Sequence, residues 1–148
     1  MNKILWEGAA YLANALKVNN SLTHLSLSSG KSGCNNRNRI MERGAYELSK
    51  ALAVNSNLII LNLTGNGIGN EGLSYLLPAI VQNDTIESLN LSSNEITPGP
   101  IRQLVLKDRI KQGQANNHLL VHKSDSLSTI ANENHTYDRS CFRTPSKR

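Results

Sequence analysis

Apolar residues recur along the chain in three short bursts of one shape: Leu22, Leu25 and Leu27, then Leu58, Leu61 and Leu63, then Ile86, Leu89 and Leu91. Each reads L-x-x-L-x-L. The alternating second half has the period of two expected of a strand with one buried face. Three short strands are therefore predicted, with Leu25, Leu27, Leu61, Leu63, Leu89 and Leu91 turned inward. Their neighbours His24, Ser26, Ile60, Asn62, Ser88 and Asn90 fall on the opposite face. Between the bursts the period changes. Ala9, Leu12, Ala13 and Leu16 stand at i, i+3, i+4 and i+7, the apolar stripe of a helix. The same register returns in Leu12, Leu48 and Leu76, in Leu16, Leu52 and Ile80, and in Ala15, Ala51 and Ala79. An Asn closes each helix (Asn19, Asn55 and Asn83), where it is expected to take the left-handed backbone common just past a helix end.

The units are copies of one another. An N-x-I element occurs at Asn2, Asn38, Asn66 and Asn94, with spacings of 36, 28 and 28. Gly8, Gly44 and Gly72 follow the first three at a constant offset. Leu27 to Leu63 spans 36 positions but Asn38 to Asn66 only 28, so the surplus of the longer unit lies between Leu27 and Asn38. That stretch is rich in Gly, Ser and Asn and reads as an inserted loop near 28–37 on the rim between strand and helix. Asn66 and Asn94, each without apolar neighbours on its own turn, are expected to satisfy backbone groups of adjacent units.

The pattern L-x-x-L-x-L-x-x-N-x-I, followed by G-a-x-x-L-a-x-A-L-x-x-N, resembles the ribonuclease-inhibitor type of leucine-rich repeat over about residues 2–106. The resemblance implies an α/β solenoid, a right-handed α/β horseshoe segment with parallel strands on the concave face and helices on the convex face. Its domain organisation would be a solenoid of about three repeats over 2–112, then a polar, basic, disordered tail over 113–148. Relatives of this kind include inhibitors, GTPase activators, actin-filament caps and innate-immune sensors, which share a scaffold rather than a chemistry.

Both ends depart from the repeat. The first N-x-I stands without the strand that should precede it, which leaves Ile4, Leu5 and Trp6 at an uncapped solenoid end. Three readings stay open: a piece of a longer array, pairing of this end with another chain, or a small self-sufficient solenoid. At the other end Pro98, Gly99 and Pro100 replace the helix-opening Gly, and Lys107, Asp108 and Arg109 place charge where Leu52 and Ile80 stand in earlier units. A charged capping helix ending near Gly113 is expected there. Within the tail, Leu119, Leu120 and Val121 between His118 and His122 read as polar-tail sequence, with a remnant strand or a docking segment as alternatives.

Charge sharpens the division. Residues 1–104 hold 8 basic and 7 acidic side chains, whereas 105–148 hold 8 and 4, so most of the net +5 belongs to the C-terminal third. No apolar run is long enough to span a bilayer, and the first twenty residues lack the continuous apolar stretch of a secretory signal. Cys34 and Cys141, far apart in polar surroundings, do not form a disulfide framework. A cytoplasmic protein is expected, with a nuclear location also open.

Several local patterns imitate chemistry. Gly67, Gly69 and Gly72 form G-x-G-x-x-G after a strand and before a helix, the setting of a dinucleotide fingerprint. The repeat accounts for them instead, because Gly72 is the recurring Gly and the sibling positions of the other two carry Arg39 and Met41, or Glu95 and Thr97. Ser29 to Ser32 has the ending of a phosphate loop, but its required first Gly is Leu25. His24 has no carboxylate or Cys at general-base or ligand spacing, and His118 and His122 lack the Glu of a metalloprotease pair. Asn-x-Ser/Thr triplets at Asn19, Asn62, Asn83, Asn90 and Asn134 are expected to be coincidental. Thr144, before Pro145 in a basic setting, fits a proline-directed phosphorylation site. No catalytic residue, metal site or small-molecule cofactor is expected.

The leading functional expectation is a non-enzymatic scaffold that binds a partner protein through the concave face (His24, Ser26, Ile60, Asn62, Ser88 and Asn90) or through the exposed solenoid edge. Self-association through the N-terminal edge is a further possibility. Membrane binding is not expected, and nucleic-acid binding is disfavoured because the tail charge is diffuse and lacks aromatic residues for stacking on bases. The alternative is a regulatory protein resembling the activator of the nuclear-transport GTPase, with rim contacts from Arg37 and Arg39 and support from Lys31 and Arg43.

Overall fold

A computed structural model of the chain describes residues 3–29, 38–100 and 120–122. Helices and strands alternate: α1 Trp6–Leu16, β1 His24–Ser26, α2 Met41–Leu52, β2 Ile60–Asn62, α3 Gly69–Gln82, β3 Ser88–Asn90 and β4 Leu120–His122. The strands form one parallel sheet in the order β1-β2-β3-β4. Leu25, Leu61 and Leu89 stand in register across the first three strands, as their common place in L-x-x-L-x-L requires. Helices α1, α2 and α3 pack side by side. This is the α/β solenoid that the repeats predict.

The core lies between the two layers. Leu48, Leu52, Leu58, Leu61, Leu63, Leu73, Leu76 and Leu89 are fully buried, with Ile40 and Ile68 at the helix entries. Each of those isoleucines lies beneath the recurring glycine four residues on. A Cβ on Gly72 would stand 3.1 Å from the Glu42 backbone and 3.2 Å from the Ala45 side chain, so glycine there lets α2 and α3 approach. At Gly44 an added Cβ would meet Ala9 of α1 at 3.1 Å and would also run into Ile40.

Two asparagine ladders stitch the units together. On the rim above the strands, Asn94 Oδ1 accepts from the backbone N–H of Asn66 (2.8 Å) and of Ile68 (3.3 Å). Its amide donates to the carbonyls of Leu63, Leu91 and Ser92. Asn66 repeats the donating half toward Leu27, Leu63 and Thr64, and Asn38 Oδ1 accepts from Ile4 N–H at 2.9 Å. At the helix ends, Asn83 Nδ2 donates to Leu52 O and Asn55 O, both at 2.8 Å. Asn55 does the same toward Leu16 and Asn19.

The second ladder corrects one expectation. None of the three closing asparagines is left-handed, and Asn83 stands extended at φ −74°, ψ 125°. They recur because the carboxamide joins one unit's helix end to the next. Left-handed backbone falls instead on the rim turns: Gly65, Gly67 and Gly69 after β2, Ser93 and Glu95 after β3, and Met41 at the entry to α2.

The sheet also reaches beyond residue 112, because β4 pairs in register with β3, Val121 opposite Leu89. Most of the inserted loop (30–37), the expected capping helix beyond its first helical residues 98–100, and the rest of the tail lie outside the described residues, as do Arg37, Cys34, Cys141 and Thr144.

Candidate functional site

The strand face turned away from the helices carries the six candidate residues in two rows. His24, Ile60 and Ser88 stand opposite one another, as do Ser26, Asn62 and Asn90. Neighbouring strands lie about 4.8 Å apart, so each row crosses roughly 10 Å of sheet. His24 and Ser26 are exposed and the other four half-buried. Backbone positions here are held by the parallel pairing and by bonds that continue it past the strand ends, such as Leu27 N–H to Asn62 O and Leu63 N–H to Asn90 O, both 2.8 Å.

The polar groups of this face are largely oriented by their neighbours. Asn62 Oδ1 accepts from Thr64 N–H at 3.0 Å and from Thr64 Oγ1 at 2.7 Å. Asn90 Oδ1 accepts from Ser92 N–H at 3.0 Å. His24 Nδ1 and Thr23 Oγ1 are 2.9 Å apart, and Ser26 Oγ donates to Ser28 Oγ at 3.3 Å. The Asn-x-Ser/Thr triplets at Asn62, Asn83 and Asn90 thus have a structural reason: the carboxamide turns back on the residue two positions on. Ile60 is the one aliphatic side chain among the six. The face is a rigid surface of hydroxyl and amide groups around an apolar spot, and its six residues include no acid and no cationic Lys or Arg.

Other candidates separate. Gly67 and Gly69 have positive φ and open space where a Cβ would sit, whereas Gly72 is packed between helices. The G-x-G-x-x-G pattern therefore divides into two turn residues and one helix contact. Of the basic rim residues, Arg39 is exposed, and its backbone N–H donates to Ile4 O at 2.8 Å. Arg43 places its guanidinium 4.1 Å from the centre of the Trp6 ring. These two are not gathered into a phosphate-binding cluster. Among the described residues, no group of three or more His, Cys, Asp or Glu side chains is placed to hold a metal ion, and no helix is long and apolar enough to cross a membrane.

Sequence reasoning missed a cluster on the helix layer. Tyr46 of α2 and Tyr75 of α3 meet edge to face, 5.3 Å between ring centres. Lys50 Nζ lies 4.5 Å over Tyr46 and pairs with Glu47 at 2.6 Å. The Tyr75 hydroxyl donates to Glu71 Oε1 at 3.0 Å, and this bond to a carboxylate raises its pKa above the usual phenol value. A signal was available: Tyr46 and Tyr75 are 29 residues apart in a 28-residue repeat, which puts them one step out of register on adjacent helices.

With this geometry in place, the comparisons with known proteins are direct. A family model described as a leucine-rich repeat matches residues 54–77 and 82–99, the stretches that carry β2, most of α3, and β3 with its rim. A solved structure named as the Actin-Binding Site 2 (ABS2) of leiomodin-1 superposes with a TM-score of 0.68 at 20% identity, covering 85% of this chain and 69% of that one. At that identity the likeness is one of fold. No curated protein matches. Fold, repeats and matches together show an α/β fold of the leucine-rich repeat type.

Proposed function

We propose that the chain is a non-enzymatic protein-binding scaffold with repeats of the ribonuclease-inhibitor type, acting in the cytoplasm, and that His24, Ser26, Ile60, Asn62, Ser88 and Asn90 receive the partner. The observation that carries this reading is the in-register stacking of three strands, which sets the six side chains on a backbone already ordered before binding. Little conformational entropy is then lost on association. Ile60 supplies the apolar contact, and the surrounding amides and hydroxyls supply direction. The leiomodin-1 neighbour is named for an actin-binding site, which makes actin the first purified partner to try.

The test uses the full chain as bait for purified actin and for a cell lysate, beside Ile60→Asp, Arg39→Ala and a truncation after His122. The truncation keeps β4, which a cut at residue 113 would remove. The reading expects a captured partner that disappears with Ile60→Asp and survives the other two changes, with circular dichroism showing that every variant is folded. Capture that Ile60→Asp leaves intact would remove the strand face from consideration. Loss with the truncation alone would move the site to the tail.

A further inference from the structure

Two side chains on the strand face are wired alike and leave the same group free. Asn62 Oδ1 accepts from the backbone N–H of Thr64 and Asn90 Oδ1 from that of Ser92, both at 3.0 Å. Only the oxygen of a carboxamide can receive a backbone N–H, so these bonds fix which end of each side chain is which. Asn62 Oδ1 also takes the Thr64 hydroxyl, at 2.7 Å. Each Nδ2 remains as a donor bonded to no described residue. The ladder asparagines are the reverse case: Asn55, Asn66, Asn83 and Asn94 all spend Nδ2 on carbonyls. Asn62 and Asn90 are register partners on β2 and β3, so the two donors stand about 4.8 Å apart. Turned by the same bond, they run parallel. Both residues are half-buried. Their row continues to Ser26 on one side and to the register position of His122 on the other, so neither flank is an acid.

We propose that this pair receives the carboxylate of an Asp or Glu side chain on the partner protein, one oxygen to each Nδ2. The proposal rests on the strand face being the partner-binding surface and names what the partner must present there. Two parallel donors at this spacing suit the two oxygens of one carboxylate, each reached at about 2.9 Å. They do not suit an extended backbone, whose carbonyls on one side repeat at about 6.6 Å. A phosphate fits less well, because the six residues of the face hold no Lys or Arg to balance its second charge. A single carboxylate is stabilised by neutral N–H donors, in bonds stronger than those between neutral groups. Ile60 lies two residues before Asn62 on the same face, where the methylenes of an acidic side chain would pack.

The test is a titration of the isotope-labelled full chain with hexaglutamate at low salt, read by NMR at the side-chain amides. The Nδ2 signals of Asn62 and Asn90 are expected to move together along one binding curve. Those of Asn55 and Asn83, already donated to carbonyls, are expected to stay in place, and hexaglutamine should move none of the four. Asn62→Asp keeps an oxygen for Thr64 and replaces the free donor with a like charge. It is expected to weaken binding read at Asn90 about tenfold or more, with circular dichroism unchanged, and Asn90→Asp should do the same at Asn62. Signals that stay still at millimolar hexaglutamate would overturn the proposal. So would movement that persists in folded Asn62→Asp, or that appears with a phosphoserine hexapeptide alone. Capture of a partner protein that is lost with Ile60→Asp but kept with Asn62→Asp would overturn the carboxylate and leave the strand face standing.

Discussion

Two rim turns one repeat apart, 64–69 after β2 and 92–97 after β3, follow the same path through their first two left-handed positions with different residues. Gly65 and Ser93 share a left-handed φ, at 72° and 56°, and so do Gly67 and Glu95, at 67° and 58°. The first turn places two glycines on this path and the second none. What the turns share is the asparagine beneath them, and even there the match is incomplete. Asn94 uses both ends of its carboxamide, whereas Asn66 Oδ1, equally buried at 1% exposure, has no hydrogen-bond partner. By repeat equivalence it should accept from the backbone N–H groups of Asn38 and Ile40, and neither bond is made. The turn is therefore held by the donating half of the asparagine, and glycine only relieves the strain.

The largest effect expected is one that both turns share. Leu61 lies beneath them, fully buried and in register with Leu25 and Leu89. Leu61→Ala should cost about 2–5 kcal/mol in a urea titration, the range for a buried leucine in a core that cannot collapse. A loss under about half a kcal/mol would mean that the rims rather than the leucines carry the stability. The next effect separates the turns. Asn94→Ala strands the buried N–H donors of Asn66 and Ile68 and the Leu91 carbonyl. After Asn66→Ala each carbonyl it served keeps another donor, from Asn38, Asn94 or Ser29, and an unpaired oxygen is removed. Asn94→Ala should therefore be the more damaging by about 1–2 kcal/mol. Equal losses would show that the Asn66 oxygen is satisfied in solution.

How much of this was legible follows from what each feature depends on. Strands and helices were readable because a buried leucine must recur wherever the layers meet, so Leu61, Leu89, Leu48 and Leu76 report the register directly. The rim asparagines were readable for the same reason. Strand β4 was legible only as an alternative to polar tail, since Leu89 to Val121 is 32 residues rather than 28 and its flanks are polar, which hides it from a search for period. The backbone at Met41, Ser93 and Glu95 was also hidden, because ordinary residues are forced left-handed there by pairing made elsewhere. The six strand-face residues could be listed from alternation alone. Their orientation by Thr64 and Ser92 needed coordinates.

The smallest effect isolates the glycines. If the asparagine dictates the path, a residue without a Cβ at the second turn should relieve strain and change nothing else. A left-handed non-glycine residue costs roughly 1–2 kcal/mol, partly offset by the extra freedom that glycine gives the unfolded chain. Glu95→Gly should therefore stabilise the protein by about 0.5–1 kcal/mol in the same titration, and the reverse change, Gly67→Ala, should destabilise it by a similar amount. Neither has a packing excuse, since nothing lies within 4 Å of a Cβ built at Gly67. If Glu95→Gly instead destabilises, the turn after β3 is held by its own side chain, and the two turns reach one shape by different means.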